Sequence, residues 1–212
     1  MKPMPLQNRV DPFGQILSSP ARGTLMGNRG TLHDAEKNVV KTHSVQRWII
    51  CVLEFKGQSR ELMSPGKYTE LFFLDEATAL AAGHRPCQEC QRERALEFKR
   101  HWALANRPDD PDAVRMPEMD RQLHHERIAR RRKVTWQSPV AALPDGAIFE
   151  HDGQAYLVWD GNHWSWTFEG YQQAEPCGSR TVVDVLTPKS TVRALQAGFR
   201  PGVHRSITPP ST

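Results

Sequence analysis

The sequence contains little that would place the chain in a membrane or in a disulfide-held class. No long uncharged apolar run occurs in its 212 residues, which argues against a membrane span. The opening segment, MKPMPLQNRVDPFG, has no apolar core of the signal-peptide type. Four cysteines are too few for a disulfide framework in a chain of this size. We therefore expect a soluble cytoplasmic protein.

The charge is only mildly unbalanced. The chain has 28 Lys and Arg against 24 Asp and Glu, which gives a net charge of +4, and its isoelectric point is near 9.0. This excess suits an anionic partner, but a similar excess occurs in proteins that bind no nucleic acid. Composition alone does not decide the partner.

Strand and helix signals alternate in the first half of the chain. The β-rich segments at 46–57 and 68–74 predict two strands. A short helix follows, with Asp75 placed to cap its start and Gly83 to end it. A second helix is predicted from about Cys90, because apolar residues recur there at helical spacing.

The second half begins with a Pro- and Asp-rich stretch that marks a boundary after residue 105. The segment MDRQLHHERIARRRK then predicts a helix with a basic end. Beyond Pro139, the pairs Asp152-Gly153 and Asp160-Gly161 predict tight hairpins. The segment KSTVRALQAG predicts a closing helix.

Cys87 and Cys90 lie at the predicted start of the second helix. Two thiolates separated by two residues can hold one zinc ion, because the intervening turn points both sulfurs inward. A helix start also favours the thiolate form. A redox pair and two idle cysteines are the alternatives. A redox pair would need a thioredoxin-like βαβ setting, which the sequence does not show, so the spacing favours zinc.

The predicted fold class is α+β. A zinc-stabilised N-terminal module with an extended arm would span residues 1–105. A linker and basic helix would occupy 106–138, and a small β-rich antiparallel module closed by a helix would occupy 139–212.

The segment LFFLDEATALAAGHRPCQECQRE, residues 71–93, resembles the second half of the Ada-type metal-binding domain. That domain occurs in alkylation-repair methyl-acceptor proteins and as an accessory module in some bacterial nucleases. His84 stands where the family usually has an aromatic residue. The segment MGNRGTLHD, residues 26–34, is similar to the opening of the accessory members. The resemblance implies a zinc-held fold and DNA as the partner.

The resemblance also implies a ligand set. The family completes its zinc site with a His-x-x-x-Cys pair, which makes His33 the expected third ligand. Lys37 stands where that cysteine would be. Cys51 is the best substitute, with His43 and His84 as alternatives. The expected zinc ligands are thus Cys87, Cys90, His33 and Cys51.

The departure at Lys37 bears on the chemistry. In the repair proteins, one cysteine of the first pair accepts a methyl group from a DNA phosphotriester. His33 and Lys37 offer no such cysteine. We therefore expect binding without methyl-acceptor chemistry.

Basic residues are the candidates for phosphate contact. Arg127 and the following basic run would contact phosphates or form a solvated helix end. The expected nucleic-acid contacts are Arg85, Arg92, Arg130, Arg131, Arg132 and Lys133. The glycine-rich segment RGTLMGNRGTLHD lacks the Gly-Lys-Ser/Thr ending of a P-loop and offers Arg22 and Arg29 with weaker support.

No motif identifies catalytic residues. If the chain is an enzyme, the candidates are His33 with Asp34, and His124 with Glu126. The last pair lacks the second histidine of a helical zinc-protease motif. The tryptophans of WDGNHWSWTFEGY are expected to form the core of a small sheet rather than an exposed stacking surface.

The leading hypothesis is a zinc-containing, DNA-binding protein that has no membrane partner. The first alternative is a metal-dependent nuclease or a nucleic-acid modification or repair enzyme. The second alternative is a protein–protein adaptor that uses the Trp-rich sheet.

Overall fold

A computed structural model describes residues 4–57, 61–175 and 177–207 and confirms the α+β class. The helices within those ranges are α1 (Glu76–Ala81), α2 (Arg92–Asn106), α3 (Met116–Arg127) and α4 (Lys189–Gln196). In the same ranges, no helix is long and apolar enough to cross a membrane.

The first sheet is mixed and has six strands in the order β2-β1-β5-β3-β4-β6. Its strands are β1 (Gln7–Val10), β2 (Ile16–Ser18), β3 (Leu25–Asn28), β4 (Ile49–Cys51), β5 (Leu71–Phe73) and β6 (Arg85–Pro86). The predicted strands at 46–57 and 68–74 correspond to β4 and β5. The parallel pairing of β4 with β6 joins segments that are 36 residues apart at Ile49 and Arg85.

Two further sheets follow α3. The small one pairs β7 (Ile128–Ala129) with β8 (Arg132–Lys133). The large one is antiparallel and has the order β13-β12-β11-β10-β14-β9. Its strands are β9 (Trp136–Pro139), β10 (Ile148–His151), β11 (Gln154–Trp159), β12 (Asn162–Trp166), β13 (Tyr171–Ala174) and β14 (Val182–Val185).

The local signals in the sequence act as expected at several turns. Asp75 caps α1, since its Oδ1 accepts a hydrogen bond from the Thr78 amide at 2.8 Å. Gly83 follows the helix with φ +88°, the left-handed conformation that favours glycine. Asp152-Gly153 and Asp160-Gly161 have positive φ and connect β10–β11 and β11–β12.

The predicted basic helix is shorter than expected. α3 ends at Arg127, and the chain then forms the β7–β8 hairpin. Arg130 and Arg131 make the turn with φ of 47° and 67°. Left-handed backbone costs a non-glycine residue about 1–2 kcal/mol, so tertiary contacts on either side of the turn must hold it. Arg130, Arg131 and Arg132 are therefore exposed on a hairpin and do not form a helix face.

The predicted modules share their apolar interior. One buried cluster contains Ile50 of the first sheet, Phe98 of α2 and Val185 of the large sheet. Phe98 also packs edge-on against Phe199, with ring centroids 5.0 Å apart. The segment at 106–138 includes Met119, which is fully buried in the same cluster. This segment therefore contributes to the core rather than acting only as a linker.

The tryptophans of β12 are buried as expected. Trp164 and Trp166 are 7% and 8% exposed and lie in a second cluster with Leu74 and Ala77. The Trp166 indole donates to the Thr78 hydroxyl at 3.0 Å. These two tryptophans therefore pack against α1 and are not exposed.

Candidate metal centre and basic cleft

Three cysteines from separate parts of the sequence come together at one end of the first sheet. Cys51 is the last residue of β4, and Cys87 directly follows β6. The two strands pair in parallel, and the Cys87 amide donates to the Ile50 carbonyl at 2.9 Å. Cys90 lies one turn further on, just before α2. The three Sγ atoms all lie within 4.8 Å of one another.

Backbone amides and neighbouring thiols act on the sulfurs of this group. The Glu89 amide donates to the Cys87 Sγ at 3.4 Å. Hydrogen bonds from the Cys51 thiol and from the Cys90 and Glu89 amides lower the pKa of Cys87 to about 5. Hydrogen bonding to Cys87 and burial raise the pKa of Cys51, and burial raises that of Cys90. The cysteines thus form one coupled cluster in which Cys87 carries the most thiolate character.

The geometry fits a soft metal ion. Zn–S bonds of about 2.3 Å in a tetrahedron place sulfurs about 3.8 Å apart, which is compatible with this cluster. Cys51 and Cys87 are buried, and Cys90 is half-buried. More than one thiolate in this group would need a cation beside it, because an uncompensated buried charge is costly. Three close cysteines could therefore hold a metal ion.

The structure corrects the predicted ligand set at His33. Its Nδ1 lies 2.6 Å from the Thr69 hydroxyl and its Nε2 lies 3.2 Å from the Ser64 carbonyl. Both ring nitrogens are thus engaged in a loop, and His33 is not in the cysteine group. His43 and His84 are not in it either, whereas Cys51 is.

The catalytic candidates do not converge on one another. Asp34 accepts hydrogen bonds from the Glu36 and Asn38 amides and so shapes its own loop. Glu126 accepts from the amide and hydroxyl of Ser190 at the start of α4. These carboxylates have structural partners, and neither forms the proposed pair with His33 or His124.

The predicted nucleic-acid contacts separate into buried and exposed groups. Arg85 is 1% exposed and forms two 2.8 Å hydrogen bonds to the Asp120 carboxylate, so it is an internal ion pair. Arg92 is exposed on α2. Arg131 and Arg132 are exposed and line a cleft, whereas Arg130 is exposed but is not among its lining residues. The Lys133 side chain enters that cleft and donates to the Ala81 carbonyl.

This cleft has a volume of about 930 Å³. The cationic or titratable side chains that line it are Arg29, Lys41, His43, Arg127, Arg131, Arg132 and Lys133. No aspartate or glutamate is among its lining residues in the described part of the chain. We name this site the basic cleft.

Two of its arginines are held around one tryptophan. The Cζ atoms of Arg29 and Arg127 lie 4.1 and 3.9 Å from the Trp48 ring centroid. Arg29 donates to the Gly14 carbonyl and to Nε2 of His84, at 2.8 and 3.2 Å. Burial and the nearby arginines keep the pKa of His84 well below its usual value, so this imidazole is a neutral acceptor.

Arg127 has the same kind of surroundings. Its Nη1 donates to the Gly83 carbonyl at 2.8 Å, and its Nη2 contacts the Gln46 carbonyl and the His124 ring. Burial lowers the pKa of Arg127, like that of Arg29, to about 9. Both cations therefore rest on neutral acceptors and an aromatic ring.

No protein-family model, curated protein or solved structure matches the chain. The resemblance to the Ada-type domain therefore stays a prediction.

Sequence reasoning missed the convergence at the basic cleft. The sequence indicates Arg29 only as a weak loop contact, and it does not single out Trp48. One signal in the sequence could have indicated the cleft: several arginines lie in segments that are otherwise apolar or glycine-rich. Their meeting depends on the packing of α3 and the β7–β8 hairpin against the first sheet.

Proposed function

We propose that this chain is a metal-stabilised protein that binds nucleic acid, with DNA as the expected polymer. The basic cleft carries the proposal, since a lining with seven cationic or titratable groups and no carboxylate suits a phosphate backbone. The Arg131 and Arg132 side chains at its exposed edge would make the first contacts.

The proposed metal is one Zn²⁺ held by Cys51, Cys87 and Cys90. Sulfur donors select soft or borderline ions, and zinc is the common choice in such sites. When bound, it would supply a structural cross-link between the ends of β4 and β6 and the start of α2. A tetrahedral ion takes four ligands, so the fourth would come from outside these three side chains.

Metal analysis of purified protein tests the centre. We expect one zinc per chain, and we expect Cys51→Ser or Cys87→Ser to lose it and to destabilise the first sheet. Cys177→Ser is the matched control, because Cys177 is a half-buried cysteine outside the group. Wild-type protein that contains no zinc but has the same melting temperature as zinc-loaded protein would contradict the proposed centre.

The salt dependence of binding to a labelled oligonucleotide tests the partner. Each phosphate contact contributes about 0.9 to the slope of log affinity against log salt on duplex DNA. We expect Arg131→Gln with Arg132→Gln to weaken binding and to lower the slope by roughly 2. Arg193→Gln, an exposed arginine on α4, is the control. Absence of binding, or a double variant that matches wild type, would refute the role of the cleft.

A further inference from the structure

The interior of the basic cleft holds more positive charge than its surroundings neutralise. Arg29 and Arg127 are 1% and 2% exposed, yet neither forms an ion pair with a carboxylate in the described ranges. The ammonium of Lys133 is also buried, with a backbone carbonyl as its hydrogen-bond partner. Buried charges in proteins are normally paired, so three such cations in one cleft require an explanation.

One carboxylate offsets part of this charge. Asp11 is 6% exposed and interacts electrostatically with Arg29 and Lys133. It accepts a hydrogen bond from the Gln15 amide at 2.8 Å rather than from either cation. With all four groups ionised, three cations and one carboxylate carry a formal charge of two positive units, and a bound anion would favour the protonated form of Lys133. Arg85 and Asp120 behind Arg127 cancel each other.

The two arginines also retain unused donors. Nη2 of Arg29 and Nε of Arg127 are buried and have no hydrogen-bond partner among the residues that the structure describes. An unsatisfied buried donor destabilises the fold, and a charged one does so more strongly. Both residues line the cleft. An oxyanion bound there would therefore meet unpaired donors as well as excess charge.

We infer that the interior of the basic cleft is a site for a phosphomonoester, held by Arg29, Arg127 and Lys133. A phosphomonoester carries a charge of about −1.5 to −2 at neutral pH and has three strong acceptor oxygens. That charge matches the excess of two positive units, whereas an internal phosphodiester carries a single negative charge. This inference rests on the proposed function in one respect: the phosphomonoester is assigned to the end of a nucleic-acid strand.

The shape of the site agrees with an end rather than with a continuous strand. Arg29 and Arg127 are buried and Lys133 is half-buried, whereas Arg131 and Arg132 are exposed at the β7–β8 hairpin, so a terminal phosphate could reach the interior while the rest of the strand contacts the hairpin. A volume of about 930 Å³ lies within the usual range for small-molecule sites, so a mononucleotide has room. Half-buried Phe13 and Ile16 provide apolar wall for its sugar or base.

The test compares oligonucleotides of one sequence that carry no terminal phosphate, a 5′-phosphate or a 3′-phosphate. Fluorescence anisotropy with wild-type protein at fixed salt gives the three affinities. We expect a terminal phosphate at one end to raise affinity at least tenfold. Calorimetry with a nucleoside monophosphate, the parent nucleoside and inorganic phosphate separates the sources of the same chemistry. We expect the monophosphate to bind and the nucleoside not to bind.

Variants then locate the site. We expect Lys133→Gln and Arg29→Lys to reduce the tenfold preference towards one, while Arg193→Gln preserves it. Arg29 contacts Trp48, so its replacement risks misfolding. The comparison of the three oligonucleotides uses wild-type protein alone and does not depend on any variant.

The outcomes separate this inference from the proposed function. Equal affinity for all three oligonucleotides would overturn the phosphomonoester site and leave nucleic-acid binding intact. Binding of the monophosphate without binding of any oligonucleotide would support the site and overturn the nucleic-acid proposal. Failure of the monophosphate and of inorganic phosphate to bind, together with equal oligonucleotide affinities, would exclude the site altogether.

Discussion

Replacing Lys133 with methionine tests whether the basic cleft holds uncompensated charge. Burial, followed by repulsion from Arg29 and Arg127, lowers the pKa of Lys133 from 10.5 to about 7, while Asp11 acts in the opposite sense. The unfolded chain therefore binds this proton more tightly than the folded chain does. The resulting destabilisation of the fold grows as pH falls from 10.5 towards 7 and is complete below about 7.

The size of the effect follows from the two pKa values. At 1.36 kcal/mol per pKa unit, the penalty is about 4 kcal/mol at pH 7 and about 2 kcal/mol at pH 9. Methionine retains the apolar stem and has no proton to lose, so the variant lacks the penalty. It also leaves the Ala81 carbonyl without its donor, a cost that does not depend on pH.

The measured quantity is the difference in unfolding free energy between the variant and wild type. We expect the advantage of Lys133→Met over wild type to shrink by about 2 kcal/mol between pH 7 and pH 9. Asp11 has a pKa of about 6 and stays ionised over this range, and Arg29 and Arg127 stay protonated over most of it.

Urea denaturation at several pH values provides the assay. Lys41→Met is the matched control, because it removes an exposed lysine of the same cleft, and we expect no pH-dependent difference from it. A difference between Lys133→Met and wild type that stays constant from pH 7 to pH 9 would refute the buried-charge argument. Inorganic phosphate should stabilise wild type more than the variant at pH 7.

Two further changes test the frame around the site. Asp120→Asn leaves Arg85 buried without its carboxylate and should lower the unfolding free energy by about 3–5 kcal/mol. The double change Arg85→Met with Asp120→Leu removes both charges and should lower it by less. Equal losses in denaturation experiments would show that the pair is not coupled. Gly83→Ala forces a side chain into left-handed backbone and places its Cβ 2.4 Å from Cδ of Arg127. We expect a loss of at least about 1–2 kcal/mol from the backbone alone, together with weaker oligonucleotide binding, and unaltered binding would indicate that Arg127 does not contribute to the cleft.

The candidate metal centre is only partly predictable from the sequence. The spacing of Cys87 and Cys90 predicts a shared ion, because the turn formed by the two intervening residues can direct both sulfurs to the same point. Cys51 could be named only as a substitute, since no local pattern relates it to residues 36 positions away. The parallel register of β4 and β6 places it beside Cys87. His33 lies outside this strand pair, in a loop where its Nδ1 is 2.6 Å from the Thr69 hydroxyl.

Local signals determined the caps and the Asp-Gly hairpins, because each depends on a few neighbouring residues. The burial of Trp164 and Trp166 follows from their apolar character, but their partners in α1 are set by the tertiary structure. The basic run at 130–133 was misassigned to a helix, since the helical pattern of α3 continues into it without a glycine or proline stop.

The sequence by itself determined the α+β class, the turns and the cysteine pair, all of which follow from backbone preference and short-range spacing. Only the tertiary structure decided which distant residues meet: Cys51 with Cys87, and Arg29 with Arg127 around Trp48. The physical reason is that sheet register and core packing act between segments far apart in sequence. The positive charge of the basic cleft therefore comes from residues that no sequence pattern relates to one another.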